Sequence, residues 1–163
     1  MKTHGLESVL REHPFFSGLT DETVDLIAGC AKNVRFDDGT VIARQGEDAD
    51  AFYLLREGRV AIGFPAQQAG RVTIQTLDEG DVIGWSWLIP PHTWQFDVVA
   101  VTRARAIEID GRCLRGKCDE DTALGYELMK RFSAAMVQRL QATHLQLMNL
   151  YGNNNGNHFG SDR

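Results

Sequence analysis

The stretch Gly80-Asp81-Val82-Ile83-Gly84-Trp85-Ser86-Trp87-Leu88-Ile89-Pro90-Pro91-His92-Thr93-Trp94-Gln95-Phe96-Asp97-Val98-Val99-Ala100-Val101 decides the fold. A Gly-Asp turn leading into Val82–Gly84, and an apolar run at Gln95–Val101, predict two strands joined by a compact connection. That connection holds Trp85, Trp87 and Trp94, all 3 tryptophans of the chain. No Lys or Arg lies between Val72 and Thr102. An apolar turn clasped by two strands is where a small β domain builds a pocket.

Outward from this stretch, turn signals recur at short intervals: Asp37-Asp38-Gly39, Gln45-Gly46-Glu47-Asp48, Arg56-Glu57-Gly58, Gln68-Ala69-Gly70 and Asp78-Glu79-Gly80-Asp81. Between them, runs rich in Val, Ile, Phe and Tyr predict strands at Thr40–Arg44, Ala51–Arg56, Arg59–Phe64, Arg71–Leu77, Val82–Gly84, Gln95–Val101 and Ala104–Ile109. Short strands at this spacing point to a hairpin-connected β-sandwich or jelly roll. On the N-terminal side, Leu6 to Leu10 with Phe15 and Phe16 predicts a short helical arm ending at Pro14. Thr20, followed by Asp21 and Glu22, is an N-cap signal for a helix over Asp21–Cys30. From Asn33 the period becomes that of strands.

After the Asp110-Gly111 turn the period is helical again, with a short helix predicted over Arg112–Cys118. A long helix follows from Asp119-Glu120-Asp121 to about Tyr151, where Gly152 and an Asn run are expected to stop it. Tyr126, Ser133, Leu140 and Leu147 recur at heptad spacing, and so do Met129, Met136, Thr143 and Leu150. These a and d positions are the pattern of a two-stranded seam. Leu124, Leu128, Phe132 and Ala135 form a second stripe suited to packing on the roll. Two apolar stripes favour a homodimer over a helix buried on its own domain alone. The expected organisation is one domain over 1–151, with the roll at about 33–110 and the long helix at about 119–151. Residues 152–163 are expected to form a disordered tail.

The bulk composition agrees with a single soluble domain. The chain has 163 residues, is 43% hydrophobic and 24% charged, and carries a formal net charge of −5. An acidic balance argues against non-specific nucleic-acid or anionic-membrane binding. No apolar run approaches the ~18 residues of a spanning helix, and the N-terminus lacks a signal-peptide core. The 3 cysteines, Cys30, Cys113 and Cys118, form no even-numbered framework, which predicts a reducing cytoplasm. Cys113 and Cys118, flanked by Arg112, Arg115 and Lys117, are candidates for a redox pair. Five residues along a helix, however, place two thiols on different faces, so incidental thiols are the alternative. His4, His13, His92, His144 and His158 are scattered and show no metal-ligand spacing; His92 and His144 are the candidates for haem ligation. No metal site or resident cofactor is expected. No nucleophile elbow, phosphate loop or nucleophile with an obvious base appears, so no enzyme activity is expected.

A short N-terminal helix, a roll with spaced glycines, a mid-roll Gly-Asp-Val-Ile-Gly turn and a long terminal helix together resemble the cyclic-nucleotide-binding domain. The nearest resemblance is to the sensory half of the catabolite activator (Crp-Fnr) family. The landmarks are Gln45-Gly46-Glu47, Tyr53-Leu54-Leu55, Glu57-Gly58-Arg59-Val60, Leu77 through Gly84, and Arg139-Leu140-Gln141-Ala142-Thr143. The resemblance covers residues 10–151. It implies a mainly β fold: an eight-stranded antiparallel β-roll (jelly roll, double-stranded β-helix) with short N-terminal helices and a long C-terminal dimerisation helix. It also makes the mid-roll turn a phosphate-binding cassette, Gly84, Trp85, Ser86, Trp87 and Leu88, completed by Trp94, Gln95 and Phe96, with Thr143 at the helix position that touches the base.

In that family a Glu after the second Gly binds the ribose and an Arg further on pairs with the cyclic phosphate. Here Trp85 and Trp94 stand at those positions, and Asp97 adds a negative charge. A charge-assisted contact contributes about 1.5–3 kcal/mol, so losing both anchors lowers affinity by roughly ten- to several-hundred-fold or more. The expectation is a regulatory module that does not bind cyclic AMP or cyclic GMP in the usual way. Two readings of the aromatics stay open: a self-plugged core, or an apolar pocket for another small effector oriented by Ser86, Thr93 and Gln95. The alternatives for the whole chain are a ligand-free interaction module, with a protein partner the sequence does not name, or a cysteine-based redox switch. The family's helix-turn-helix does not fit in 152–163, so no direct DNA binding by this chain is expected, and no membrane association.

Overall fold

The computed structural model describes residues 3–68 and 70–155. The elements in chain order are α1 (Thr3–Glu12), a 3-10 turn (Pro14–Phe16), α2 (Asp21–Ala28), β1 (Ala31–Phe36), β2 (Val41–Ala43), β3 (Ala51–Glu57), β4 (Val60–Ala66), β5 (Gly70–Leu77), β6 (Val82–Ile83), β7 (Asp97–Ala100), β8 (Ala104–Asp110), α3 (Gly111–Glu120) and α4 (Thr122–Asn155). The eight strands form two antiparallel four-stranded sheets, ordered β1-β8-β3-β6 and β2-β7-β4-β5. This is the mainly β roll with flanking helices that the turn spacing predicts.

Strand β3 lies inside the β1-β8-β3-β6 sheet and is buried on both faces, which is why its sequence is a continuous apolar run. Successive strand residues point to opposite faces. Phe52 and Leu54 therefore meet the helices, in a core with Leu10, Phe16, Ile27, Leu114, Leu128 and Phe132. Tyr53 and Leu55 face the other sheet, in a second core with Val60, Ile62, Ile83, Val98 and Ala106. Strand β8 alternates in register, with Phe52 opposite Ile109 and Leu54 opposite Ile107.

Strand β1 was not among the seven strands read from the sequence. Lys32, Asn33 and Arg35 interrupt its apolar pattern and are exposed, while Ala31, Val34 and Phe36 are half-buried. Pairing with β8 along its whole length, from Ala31↔Ile109 to Phe36↔Ala104, holds it in place. Helix α2 begins as expected: the Thr20 hydroxyl accepts from the Thr23 N–H at 3.3 Å. It ends at Ala28 rather than Cys30, because the chain must turn before β1 starts at Ala31.

Helix α4 buries Leu124, Leu128 and Phe132 against the sheet. Of the predicted seam, Tyr126, Met129, Leu140, Thr143, Leu147 and Leu150 are exposed, and Ser133 and Met136 are half-buried. The helix does not stop at Tyr151 but continues through Gly152 to Asn155. A single helical Gly costs about 1 kcal/mol relative to Ala, too little by itself to end a long helix. The rest of the predicted tail, 156–163 with His158, lies outside the described residues. No helix among the described residues is long and apolar enough to cross a membrane.

The cysteine pairing differs from the expected one. Cys30, just before β1, is bonded to Cys113 in the first turn of α3 across a sequence separation of 83. Cys118 is a free, buried thiol, and burial, with Asp119 and Asp121 nearby, raises its pKa. Cys113 and Cys118 therefore do not form a pair; the partner comes from the opposite end of the roll, which spacing along one helix cannot reveal.

Candidate functional site

The cassette begins where β6 ends. Gly84 has φ +92, and a Cβ there would lie 2.6 Å from Trp94 Cη2. Glycine is required twice over, by the left-handed backbone and by the indole lying against it. After a turn closed by Leu88 N–H to Trp85 O (3.0 Å), the chain returns through His92 to Trp94. There it is tied to the Gln45-Gly46-Glu47 segment: Gly46 N–H donates to Trp94 O, and Trp94 N–H donates to Glu47 O, each at 2.8 Å. Two landmarks distant in sequence are thus one hydrogen-bonded unit.

The three tryptophans go to three places. Trp87 is fully buried in the helix-side core. It stacks on Phe52 at 4.8 Å and meets Phe132 edge-on at 5.4 Å. Its backbone oxygen accepts from Arg115 Nη1. Trp94 enters the inter-sheet core, stacked on Tyr53 at 6.5 Å and edge-on to Phe96 at 6.2 Å. Trp85 is half-buried and touches both cores. It meets Phe96 edge-on at 5.5 Å, and the Arg139 guanidinium lies over its ring at 4.7 Å.

Trp85 and Phe96, with Ile62, Ile74, Gln75, Met136, Arg139, Leu140 and Thr143, line an open cleft of about 380 Å³ between the roll and α4. Among the predicted site residues, Trp85, Phe96 and Thr143 come together in this cleft. Gly84, Trp87 and Trp94 serve as backbone turn and core. Ser86 is buried, Leu88 packs beside the helix-side core, and Gln95 is exposed, its side chain folded back on Thr93 O at 2.9 Å. The Thr143 hydroxyl donates to Arg139 O on its own helix at 2.9 Å.

The cassette has no cation of its own, but the fold brings three guanidiniums to it: Arg115, bonded to the Trp87 carbonyl, Arg71 and Arg139. Arg71 of β5 donates to Asp97 Oδ2 at 2.9 Å, and Gln45 N–H donates to Asp97 Oδ1 at 2.8 Å. Burial opposes the charge on Asp97, and these bonds outweigh it, holding the carboxyl below its ordinary value. Arg71 is thereby engaged. Arg139 is not matched in this way. Burial brings its pKa down to about 10 against the pull of Asp81, so it stays charged at neutral pH. It donates to Val82 O, while its buried Nη1 has no partner among the described residues. Sequence reading named Arg139 as a landmark but not as a cassette cation, because it reaches the cassette across a separation of 57 residues. His92 sits half-buried with φ +58. His144 is exposed on α4, and no group of three metal-ligating side chains occurs among the described residues.

A two-sheet roll with a Gly-opened cassette and a long helix over it defines a sensory β-roll domain. Residues 33–121 match the cyclic nucleotide-binding domain family, and the chain belongs to that family. A solved structure of a protein from Geobacter metallireducens is 30% identical, with TM-score 0.74 over 86% of this chain and 98% of that one. The sensor domain of the transcriptional regulator DNR from Pseudomonas aeruginosa shares the fold at 20% identity and TM-score 0.67, covering 85% of this chain and 93% of that one. A CRP-like cAMP-activated global transcriptional regulator of Mycobacterium tuberculosis is 21% identical over 89% of this chain and 63% of its own length. The cAMP-dependent protein kinase regulatory subunit of Schizosaccharomyces pombe is 30% identical over 64% of this chain and 24% of its own length. The chain thus spans less than two thirds of these two relatives.

Proposed function

We propose that this chain is a ligand-sensing regulatory module whose effector is a small apolar or aromatic anion, held in the cleft under α4, and not cyclic AMP or cyclic GMP in the usual pose. The division of the tryptophans carries this reading. Trp94 packs over Gly84 where the family places its phosphate anchor, while Trp85 faces an open cleft capped by the under-paired guanidinium of Arg139. An apolar pocket with one convergent charge suits a ring bearing a single carboxylate or similar group. Effector contact with Met136, Leu140 and Thr143 would bias α4, and a ligand that binds two helix arrangements unequally shifts their populations. The exposed seam at Tyr126, Met129, Leu140, Leu147 and Leu150 makes a homodimer through α4 the natural output. The module would act as a regulator of a protein partner. Burial of both Trp87 and Trp94 favours one second reading, a ligand-free interaction module.

Tryptophan fluorescence tests the reading, since all three indoles lie in or beside the cassette. Indole-free probes are used: cyclic AMP, cyclic GMP and the aromatic carboxylate benzoate. No saturable change is expected for either nucleotide below millimolar concentration. A saturable change is expected with benzoate, weakened roughly ten- to a hundred-fold in Arg139→Gln. Saturation by micromolar cyclic nucleotide would sink the proposal, and silence with every probe would favour the ligand-free module. For the seam, Leu140→Glu is expected to turn a dimer into a monomer by sedimentation.

A further inference from the structure

We propose that the Cys30–Cys113 disulfide is a reducible latch that sets how tightly α3 holds the cassette and α4, making the pair a redox modification site independent of any effector. The cross-link joins the start of β1 to the first turn of α3. Helix α3 has further attachments, the first being the Gly111 N–H, which donates to Asp50 O at 2.7 Å. Arg115 donates to the cassette carbonyl of Trp87. Arg112 Nε and Arg115 Nη2 both meet Asp50 Oδ1, at 3.0 and 3.7 Å. On its inner side, Leu114 and Cys118 pack in the helix-side core with Leu124 and Leu128 of α4. Helix α3 is therefore the element that touches the roll, the cassette and the long helix together; its chain leaves β8 directly at Asp110, and the disulfide adds a second covalent link, to the segment just before β1.

The bond is open to attack. Both cysteines line a cleft of about 360 Å³, together with Lys32, Asp50, Glu108 and Asp110. Cys30 is buried, whereas Cys113 is half-buried, so an incoming thiolate reaches Cys113 Sγ first. Exchange with an external dithiol then balances as follows. One thiolate of the dithiol bonds to Cys113 Sγ as the Cys30–Cys113 bond breaks, and Cys30 leaves as a thiolate and takes a proton. The second thiolate of the dithiol attacks its own partner sulfur, expelling Cys113, which takes the second proton. Two electrons pass to the protein, and the dithiol becomes a disulfide. Cys113 lies in the first turn of α3, where the positive end of the helix stabilises its departing thiolate. The Asp110 carboxylate, which accepts from the Cys113 N–H at 3.0 Å, works against that stabilisation. Buried Cys118 takes no part.

The test uses the full chain purified without reductant, with dithiothreitol as the dithiol. Alkylation under denaturing conditions is expected to modify Cys118 alone before treatment, and all three cysteines after native treatment. Hydrogen exchange over α3 and residues 85–88 is expected to rise at least three-fold on reduction while β3 and β8 stay protected. A Cys30→Ser/Cys113→Ser variant should show the faster exchange without reductant and no further response; Cys118→Ser should respond as the parent chain does. Three alkylated cysteines before reduction would overturn the latch, as would unchanged exchange over α3 and 85–88 after it, or a response abolished by Cys118→Ser.

Discussion

The helix-side core and the inter-sheet core share the strands β3 and β8, yet they are closed in different ways. The helix-side core is sealed by helices: Trp87 meets Phe132 of α4 edge-on, and α3 is bonded through Cys113 to Cys30, just before β1. The inter-sheet core is sealed by the cassette itself, with Trp94 laid on Gly84 and stacked on Tyr53. One aromatic turn therefore supplies a plug to each core and leaves Trp85 at their junction. In an aromatic cassette of this family, indoles adjacent in sequence divide between packing and the cleft, so their number alone does not decide between a plug and a pocket.

The largest effect expected is from Trp87→Ala, a loss of about 3–5 kcal/mol in urea unfolding, accompanied by faster hydrogen exchange over α3 and the first turns of α4. Trp94→Ala should cost a similar amount but raise α3 and α4 exchange less than Trp87→Ala does, because its cavity lies one strand further from the helices. If both substitutions loosened the helices equally, the two cores would be one. Next, Gly84→Ala should destabilise by about 2–3 kcal/mol, from a positive φ combined with a Cβ driven into the Trp94 ring. The combination Gly84→Ala/Trp94→Leu should recover part of that loss, because the steric share disappears with the indole.

Acid should also separate the two sides. On the helix side, His13 Nδ1 accepts from Phe15 N–H at 3.2 Å, so the proton sits on Nε2, which faces Leu55 O at 3.4 Å. Burial lowers its pKa against the opposing pull of the Leu55 carbonyl and Asp81. A depressed histidine pKa means that the unfolded chain binds the proton first. The associated stability is full above the ordinary value of 6.5 and is lost as pH falls below it. Asp97, on the inter-sheet side, is also depressed, but a carboxylate's contribution holds until pH falls below its ordinary 3.8. The difference in urea midpoint between parent and His13→Gln should therefore narrow from pH 7.5 to pH 5.5. The difference in unfolding free energy between parent and Asp97→Asn should stay constant over the same range, at about 2 kcal/mol, and shrink only near pH 3. Trp85→Ala should have the smallest effect on stability, about 1 kcal/mol, because the ring is half-exposed. Equal losses for Trp85 and Trp87 would contradict the division of roles.

Much of this architecture is legible locally. The Gly-bearing turns and apolar runs mark seven of the eight strands, and the stripe Leu124, Leu128, Phe132 marks the buried face of α4 before any contact is known. What stays illegible is set by tertiary neighbours. Strand β1 carries Lys32, Asn33 and Arg35 and is a strand because β8 pairs with it. The cysteine pairing spans 83 residues and depends on where the roll closes. In the cassette, Trp85, Trp87 and Trp94 are chemically alike in sequence; their different roles follow from which core each ring enters. Arg139 becomes a cassette residue only because α4 crosses the end of β6.

Strand β3 has a consequence of a mechanical kind. Its side chains are sunk alternately into the two cores, so it works as a party wall one backbone thick. A push on Tyr53 from the Trp94 side reaches Phe52 and Leu54 through a single peptide pleat, and through Phe52 it reaches Trp87 and Phe132. News of what happens inside the roll therefore has about one strand's thickness to travel before it reaches the long helix, and it needs no moving loop to carry it.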